Sequence, residues 1–122
     1  YDWQAMEQDG FSWWRARMAS CAALYDLVRI DHFIGVVHYY AIPAGEDTAM
    51  NGRWLTGPGE KLLEAIGPTL AGTKIIAEDL GVVTPQVRRL LEKSGYPGMK
   101  LMEFAFDSDS TNENLPFILK KI

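Results

Sequence analysis

A single cysteine, Cys21, stands in a chain of 122 residues. That excludes an internal disulfide framework and fits a reducing, cytoplasmic setting. Flanked by Ala19, Ala22 and Ala23, it reads as a small buried hydrophobe and not as a reactive thiol. No Cys/His spacing suits zinc and no acidic cluster resembles a calcium loop, so no metal is expected. No Gly-x-Gly-x-x-Gly or Walker sequence follows the early strand-like runs, which weighs against a nucleotide cofactor. No Gly-x-Ser-x-Gly elbow presents Ser94 or Ser108 as a nucleophile. No apolar run is long enough to span a bilayer, so no membrane is expected. Basic residues are outnumbered 12 to 16, and the net charge of −4 argues against nucleic acid as a partner. The opening Tyr1-Asp2-Trp3-Gln4 carries neither Met nor the basic and apolar regions of a signal peptide. The chain is therefore expected to be a segment of a longer polypeptide.

What is present is an ordinary globular composition with four Trp and five Tyr, a heavy aromatic load. Most aromatics build cores, but sugar-binding proteins also use them as flat stacking surfaces. Residues 9–25 read as a helix: Asp9 or Ser12 can cap it, and Trp14, Met18, Cys21 and Tyr25 recur at spacings of three and four. Arg15 and Arg17 fall off that stripe, on a solvated face. Leu27 to Ile30 and Lys74 to Ala77 read as short buried strands, and Met99 to Phe106 as a third. Glu60 to Ile66 continues as a helix until Gly67-Pro68. Thr84 and Pro85 open another, which Gly95 stops. The stretch from Phe33 to Gly59, with Pro43, Pro58 and five glycines, reads as a long functional loop. Asp107 to Asn114 is a polar tail, and Leu115 to Ile122 reads as the start of a further helix.

Strands alternating with helices imply parallel βα units. The expected class is α/β: a partial (β/α)8 TIM barrel of about three βα units, with no internal domain boundary from residue 1 to 122. A whole barrel takes roughly 250 residues. Two strands end in acid, at Asp31 and Glu78, and barrels of this kind display their chemistry at that end. Retaining cleavage of a glycosidic bond needs two carboxyl groups about 5 Å apart, one ionised nucleophile and one proton donor. Arg29 precedes Asp31 by two residues, on the same side of a strand, so its charge can keep Asp31 ionised. Glu78 follows an apolar run, where desolvation favours the protonated form. The bland alternative stays open: Arg29 and Asp31 as a buried ion pair, Asp79 as the cap of the turn after the strand, and His32 as a hydrogen-bonded partner.

Several motifs stand in one order: Tyr1-Asp2-Trp3, Gly10-Phe11-Ser12-Trp13-Trp14, Leu27-Val28-Arg29-Ile30-Asp31-His32-Phe33, Gly52-Arg53-Trp54, Gly57-Pro58-Gly59-Glu60-Lys61, Ile76-Ala77-Glu78-Asp79-Leu80-Gly81 and Tyr96-Pro97-Gly98-Met99-Lys100. From Tyr1 to about Asp107 the series closely resembles the 4-α-glucanotransferases, or amylomaltases, of the α-amylase-like barrel clan. The resemblance implies the region around barrel strands 4 to 6. It implies transfer of α-1,4-glucan segments between maltodextrins, without cofactor or metal. It matches Asp31 to the nucleophile, Glu78 to the acid/base and Arg29 to the arginine that orients the nucleophile. Trp3 matches an aromatic of the glucan groove, and His32 lies within the nucleophile motif. Tyr39, Tyr40 and Trp54 are candidate acceptor contacts that would favour sugar over water.

The chain departs from the family pattern in three places. The family's third catalytic carboxylate, in a His-Asp-Asn segment, has no counterpart here. Phe117 to Ile122 does not continue the family's next segment, and Ile34 replaces a residue that is basic in many relatives. The segment alone is expected to be inactive and, with open strand edges, to self-associate. Two rival functions remain at this level, an α-glucan hydrolase of the same clan and a non-catalytic glucan-binding segment.

Overall fold

The computed structural model describes residues 1–106, and the readings for Asp107–Asn114 and Leu115–Ile122 lie outside them. Helix α1 (Trp3–Gln8) begins where Asp2 Oδ1 accepts a bond from Ala5 N at 3.0 Å. Gly10 and Phe11 then reverse the chain in the left-handed region, Phe11 with φ 56°. A non-glycine residue there costs roughly 1–2 kcal/mol. Phe11 is only 3% exposed, and burying its ring stabilises by about 2 kcal/mol, which offsets that strain.

Helix α2 (Ser12–Leu24) has Phe11 at its N-cap with no side-chain cap bond, and Asp9 holds its first residue instead, accepting from Ser12 Oγ at 2.7 Å and Ser12 N at 3.1 Å. Those bonds, the hydroxyl's foremost, hold the Asp9 carboxyl below the ordinary aspartate range. The helix expected over 9–25 is therefore shorter, and a separate α1 precedes it. Met18 is buried, Trp14 and Cys21 are half-buried, and Tyr25, past the helix end, is exposed.

Strand β1 (Leu27–Ile30) leads into a 3-10 turn, Phe33–Val36. The expected long loop after it is instead a β-hairpin. Strands β2 (His38–Ala41) and β3 (Arg53–Thr56) pair antiparallel from His38↔Thr56 to Ala41↔Arg53. Helix α3 (Glu60–Ile66) follows and tightens into a 3-10 turn at Gly67–Thr69. Strand β4 (Lys74–Ala77) comes next, and then helix α4 (Pro85–Ser94). Thr84 caps α4 and Gly95, at φ 68°, ends it as a left-handed cap.

β1 and β4 pair in parallel, in register from Leu27↔Lys74 to Ile30↔Ala77. The order β1–α3–β4–α4 matches the βα reading. Phe33, Leu62, Ile66, Ile75, Ala77 and Leu90 build the core with Met18. β1 itself, expected buried, alternates exposed and half-buried residues, because β4 is its one ladder neighbour among the described residues.

The expected third strand does not form. Ala77 N donates to Pro97 O at 2.9 Å, so the chain does reach the free edge of β4. The next donor, Met99 N, is taken by the Asp79 side chain at 2.8 Å, and Met102–Phe106 curls into a 3-10 turn. Two of the three expected strands are thus present among the described residues.

Candidate active site

The register sets the site. Because Ile30 stands opposite Ala77, the residues that follow, Asp31 and Glu78, emerge from neighbouring strand ends. Adjacent strands lie about 4.8 Å apart. The ladder continues across this junction: Glu78 N donates to Ile30 O at 2.9 Å, and Phe33 N donates to Glu78 O at 2.8 Å.

The two carboxylates are held differently. Asp31 lies in the open, its side chain 74% exposed, and accepts from Arg29 Nη2 at 2.8 Å. Arg29 is 53% exposed, so the pair is a solvated one and not a buried ion pair. Glu78 is half-buried, and its Oε2 accepts from His32 N at 2.7 Å while Oε1 accepts from Leu80 N at 3.0 Å. The apolar surroundings expected for Glu78 are thus replaced by two backbone donors. Asp79, which the bland alternative makes the cap of the turn after the strand, instead accepts from a distant amide, Met99 N, at 2.8 Å.

A groove of about 510 Å³ runs past Asp31 and is lined by Trp3, Arg29, His32 and Tyr39, among others. Its aromatic end is a cluster in which Tyr1 meets Trp3, with ring centroids 5.0 Å apart, and Trp3 stacks on Trp14 at 6.1 Å. Trp14 Nε1 is buried without a hydrogen-bond partner among the described residues. Arg17 is exposed as expected, yet its guanidinium lies over Trp13 and Trp14, 5.2 and 5.9 Å from their centroids, and it also lines the groove. That contact is local to α2, where Arg17 follows Trp13 by four residues and Trp14 by three; what helical periodicity could not show is that Tyr1 and Trp3, which lie outside α2, complete the cluster.

Tyr40 and Trp54 are not among the residues that line this groove. They sit together on the hairpin, centroids 5.4 Å apart, with Trp54 65% exposed and the His38 ring edge-on to it at 5.2 Å. Tyr40 Oη donates to Ala49 O at 2.8 Å. Its ring occupies the place where a side chain on Gly52 would be, within 2.3 Å of Cε1. The sequence marks Gly52 and Gly35 only as two of the five glycines between Phe33 and Gly59; both lie against the ring of a candidate site residue.

Among the described residues no group of three or more His, Cys, Asp or Glu is placed to hold a metal ion. None of the described helices is long and apolar enough to cross a membrane.

Asp31 lines this aromatic groove and Glu78 does not; parallel strands joined through helices, with carboxylates at adjacent carboxyl ends, define a βα-repeat protein of the kind that carries its chemistry at strand tips. The sequence profile of 4-alpha-glucanotransferase matches residues 1–121, and the chain belongs to that family. It is 48% identical over 118 residues to a 4-alpha-glucanotransferase of Streptococcus pneumoniae, covering 97% of this chain and 23% of that protein. It is 48% identical over 116 residues to a chloroplastic/amyloplastic 4-alpha-glucanotransferase of Solanum tuberosum, covering 95% and 20%. Its fold superposes with a TM-score of 0.89 on the amylomaltase of Streptococcus agalactiae in complex with acarbose, at 39% identity over 97% of this chain and 24% of that one. The chain thus spans about a quarter of the length of these relatives.

Proposed function

We propose that the polypeptide carrying this segment is a 4-α-glucanotransferase that moves α-1,4-glucan segments between maltodextrins. The observation that carries this reading is the register that sends Asp31 and Glu78 out of adjacent parallel strand ends. The two side chains thus start from backbones about one inter-strand spacing apart, which brings their carboxyl groups within reach of the separation of about 5 Å that retaining glycosidases need. Family membership and the Arg29–Asp31 bond support the same assignment.

In this mechanism Asp31 attacks C1 of the donor sugar while Glu78 gives its proton to the departing 4-oxygen. A covalent glucosyl-Asp31 ester forms and the shortened chain leaves. Glu78, now a carboxylate, takes the proton from the 4-hydroxyl of an acceptor glucan. That oxygen attacks C1, the ester bond breaks, and an α-1,4 linkage is restored with its original configuration. Arg29 orients Asp31 and balances its charge. The bond from His32 N holds the Glu78 carboxyl plane, and the longer contact, at Oε1, is the one that yields when that oxygen carries the proton. Trp3 and His32 bind the donor along the groove. Tyr40 and Trp54 offer a stacking face that favours an acceptor sugar over water.

We place the segment around barrel strands 4 to 6 of a cytoplasmic TIM barrel that works without cofactor or metal. The 122 residues alone are then inactive, for want of a third carboxylate and most of the barrel wall, and self-associate through open edges. The test is maltotriose disproportionation by the full-length polypeptide, alongside Asp31→Asn and Glu78→Gln. Glucose together with longer maltodextrins, abolished in both variants, is the expected outcome. Glucose equivalents rising without longer products would mean a hydrolase, and glucan binding without any turnover a binding module.

A further inference from the structure

Gly35 lies in the 3-10 turn directly under the His32 imidazole. A methyl group on its Cα would stand 2.7 Å from His32 Cδ2 and 3.3 Å from Nε2. The backbone of Gly35 is not in the left-handed region, so its dihedral angles do not demand glycine. The absent side chain supplies room for a ring.

His32 has little other freedom. Its backbone is left-handed, φ 49° and ψ 49°, a conformation costing about 1–2 kcal/mol for a non-glycine residue. Three bonds pin it there. His32 N donates to Glu78 Oε2 at 2.7 Å, His32 O accepts from Gly35 N at 2.8 Å, and the next amide, Phe33 N, donates to Glu78 O at 2.8 Å. Phe33, Ile34 and Val36 anchor the turn in the core. With the peptide held, a side chain at position 35 would collide with the imidazole where it now stands, and both His32 and Gly35 line the groove that Asp31 lines.

We propose that Gly35 is a positioning residue that acts through His32: it seats the imidazole in the groove so that the ring hydrogen-bonds a hydroxyl of the glucose unit bound against Asp31. This rests on the glucanotransferase reading above. The three nearest atoms that an alanine would meet at this position all belong to the ring of a side chain that can rotate, so the ring moves and the turn survives.

The experiment is a double-mutant cycle on the full-length polypeptide, with Gly35→Ala, His32→Ala and the pair, assayed by maltotriose disproportionation. Either single substitution is expected to lower kcat/KM about tenfold, the effect of losing one hydrogen bond to the transition state. Adding Gly35→Ala to His32→Ala should change nothing further, because the group it positions is already gone. Losses that multiply would overturn the proposal and make Gly35 a residue of the fold. A structural readout independent of catalysis is the nuclear Overhauser contact between His32 Hδ2 and the Gly35 Hα protons. It is expected in the unmodified protein, and its absence also overturns the proposal. The contact present with no glucan transfer would sink the functional reading itself and leave Gly35 a purely structural seat.

Discussion

Glu78→Gln and Asp31→Asn each remove one charge and barely alter shape, yet their costs in stability should be unequal. Glu78 accepts two backbone N–H bonds, from His32 and Leu80, in a half-buried position. A glutamine can accept with its oxygen only, so its NH2 group faces one of those amides donor to donor. Losing a charge-assisted bond and stranding a backbone amide should together cost about 2–3 kcal/mol. The left-handed His32 turn loses part of its clamp at the same time. Asp31, by contrast, makes one bond to Arg29, and both side chains are more than half exposed. Such a pair is worth about 0–1 kcal/mol. The assay is urea unfolding of the 122-residue chain and its variants at one fixed, dilute concentration, so that self-association shifts all midpoints alike, followed by far-UV circular dichroism. With a slope of about 1.5 kcal/mol/M, the Glu78→Gln midpoint should fall by about 1.5–2 M and that of Asp31→Asn by well under 1 M. Equal shifts, or a larger one for Asp31→Asn, would refute the idea that Glu78 holds the two strand ends together.

Ile66 is fully buried at the end of α3, so Ile66→Ala should cost about 2–5 kcal/mol in the same unfolding experiment; a loss below 1 kcal/mol would displace α3 from the core. Ala71 is exposed in a turn at φ 50°, and Ala71→Gly should raise stability by about 0.5–1 kcal/mol through relief of left-handed strain. On the surface, the bond from Lys93 holds the Glu60 carboxyl below the ordinary glutamate range, and the same bond raises Lys93. The glutamate's contribution is present above its ordinary range and lost as pH falls through the lowered value. The lysine's is complete below its ordinary range and lost as pH rises through the raised value. Lys93→Met should therefore be less stable than the parent between those limits and converge with it at both extremes, as a pH series of melting temperatures would show.

Local signals carried the elements whose boundaries were legible. Thr84, Pro85 and Gly95 mark α4 because a cap hydroxyl, a preset φ and a left-handed stop act within one turn. Leu27–Ile30 and Lys74–Ala77 were legible as apolar runs ended by polar residues, and Asp31, Glu78 and Arg29 were legible as chemistry because strand tips are where such groups are displayed. The hairpin was not. His38–Ala41 and Arg53–Thr56 are separated by a connection containing Pro43, Gly45 and Gly52, longer than a tight hairpin turn, and their pairing is a contact between distant residues. The strand read at Met99–Phe106 failed for a related reason. A strand needs its amides for a neighbour, and Asp79, brought near by the end of β4, takes the Met99 amide first.

By itself the sequence determined the βα alternation, the carboxylates at two strand ends, and the family, because composition, caps and ordered motifs are properties of neighbouring residues. Tertiary structure alone decided that Asp31 stands in solvent while Glu78 is clamped on backbone amides. It also decided that Trp3 and Tyr39 share a groove with Asp31 which Tyr40 and Trp54 do not line, and that Gly35 and Gly52 lie under aromatic rings. Each of these depends on which distant surfaces meet, and one residue's shift in the register of β1 on β4 would rearrange the site without altering a single local signal.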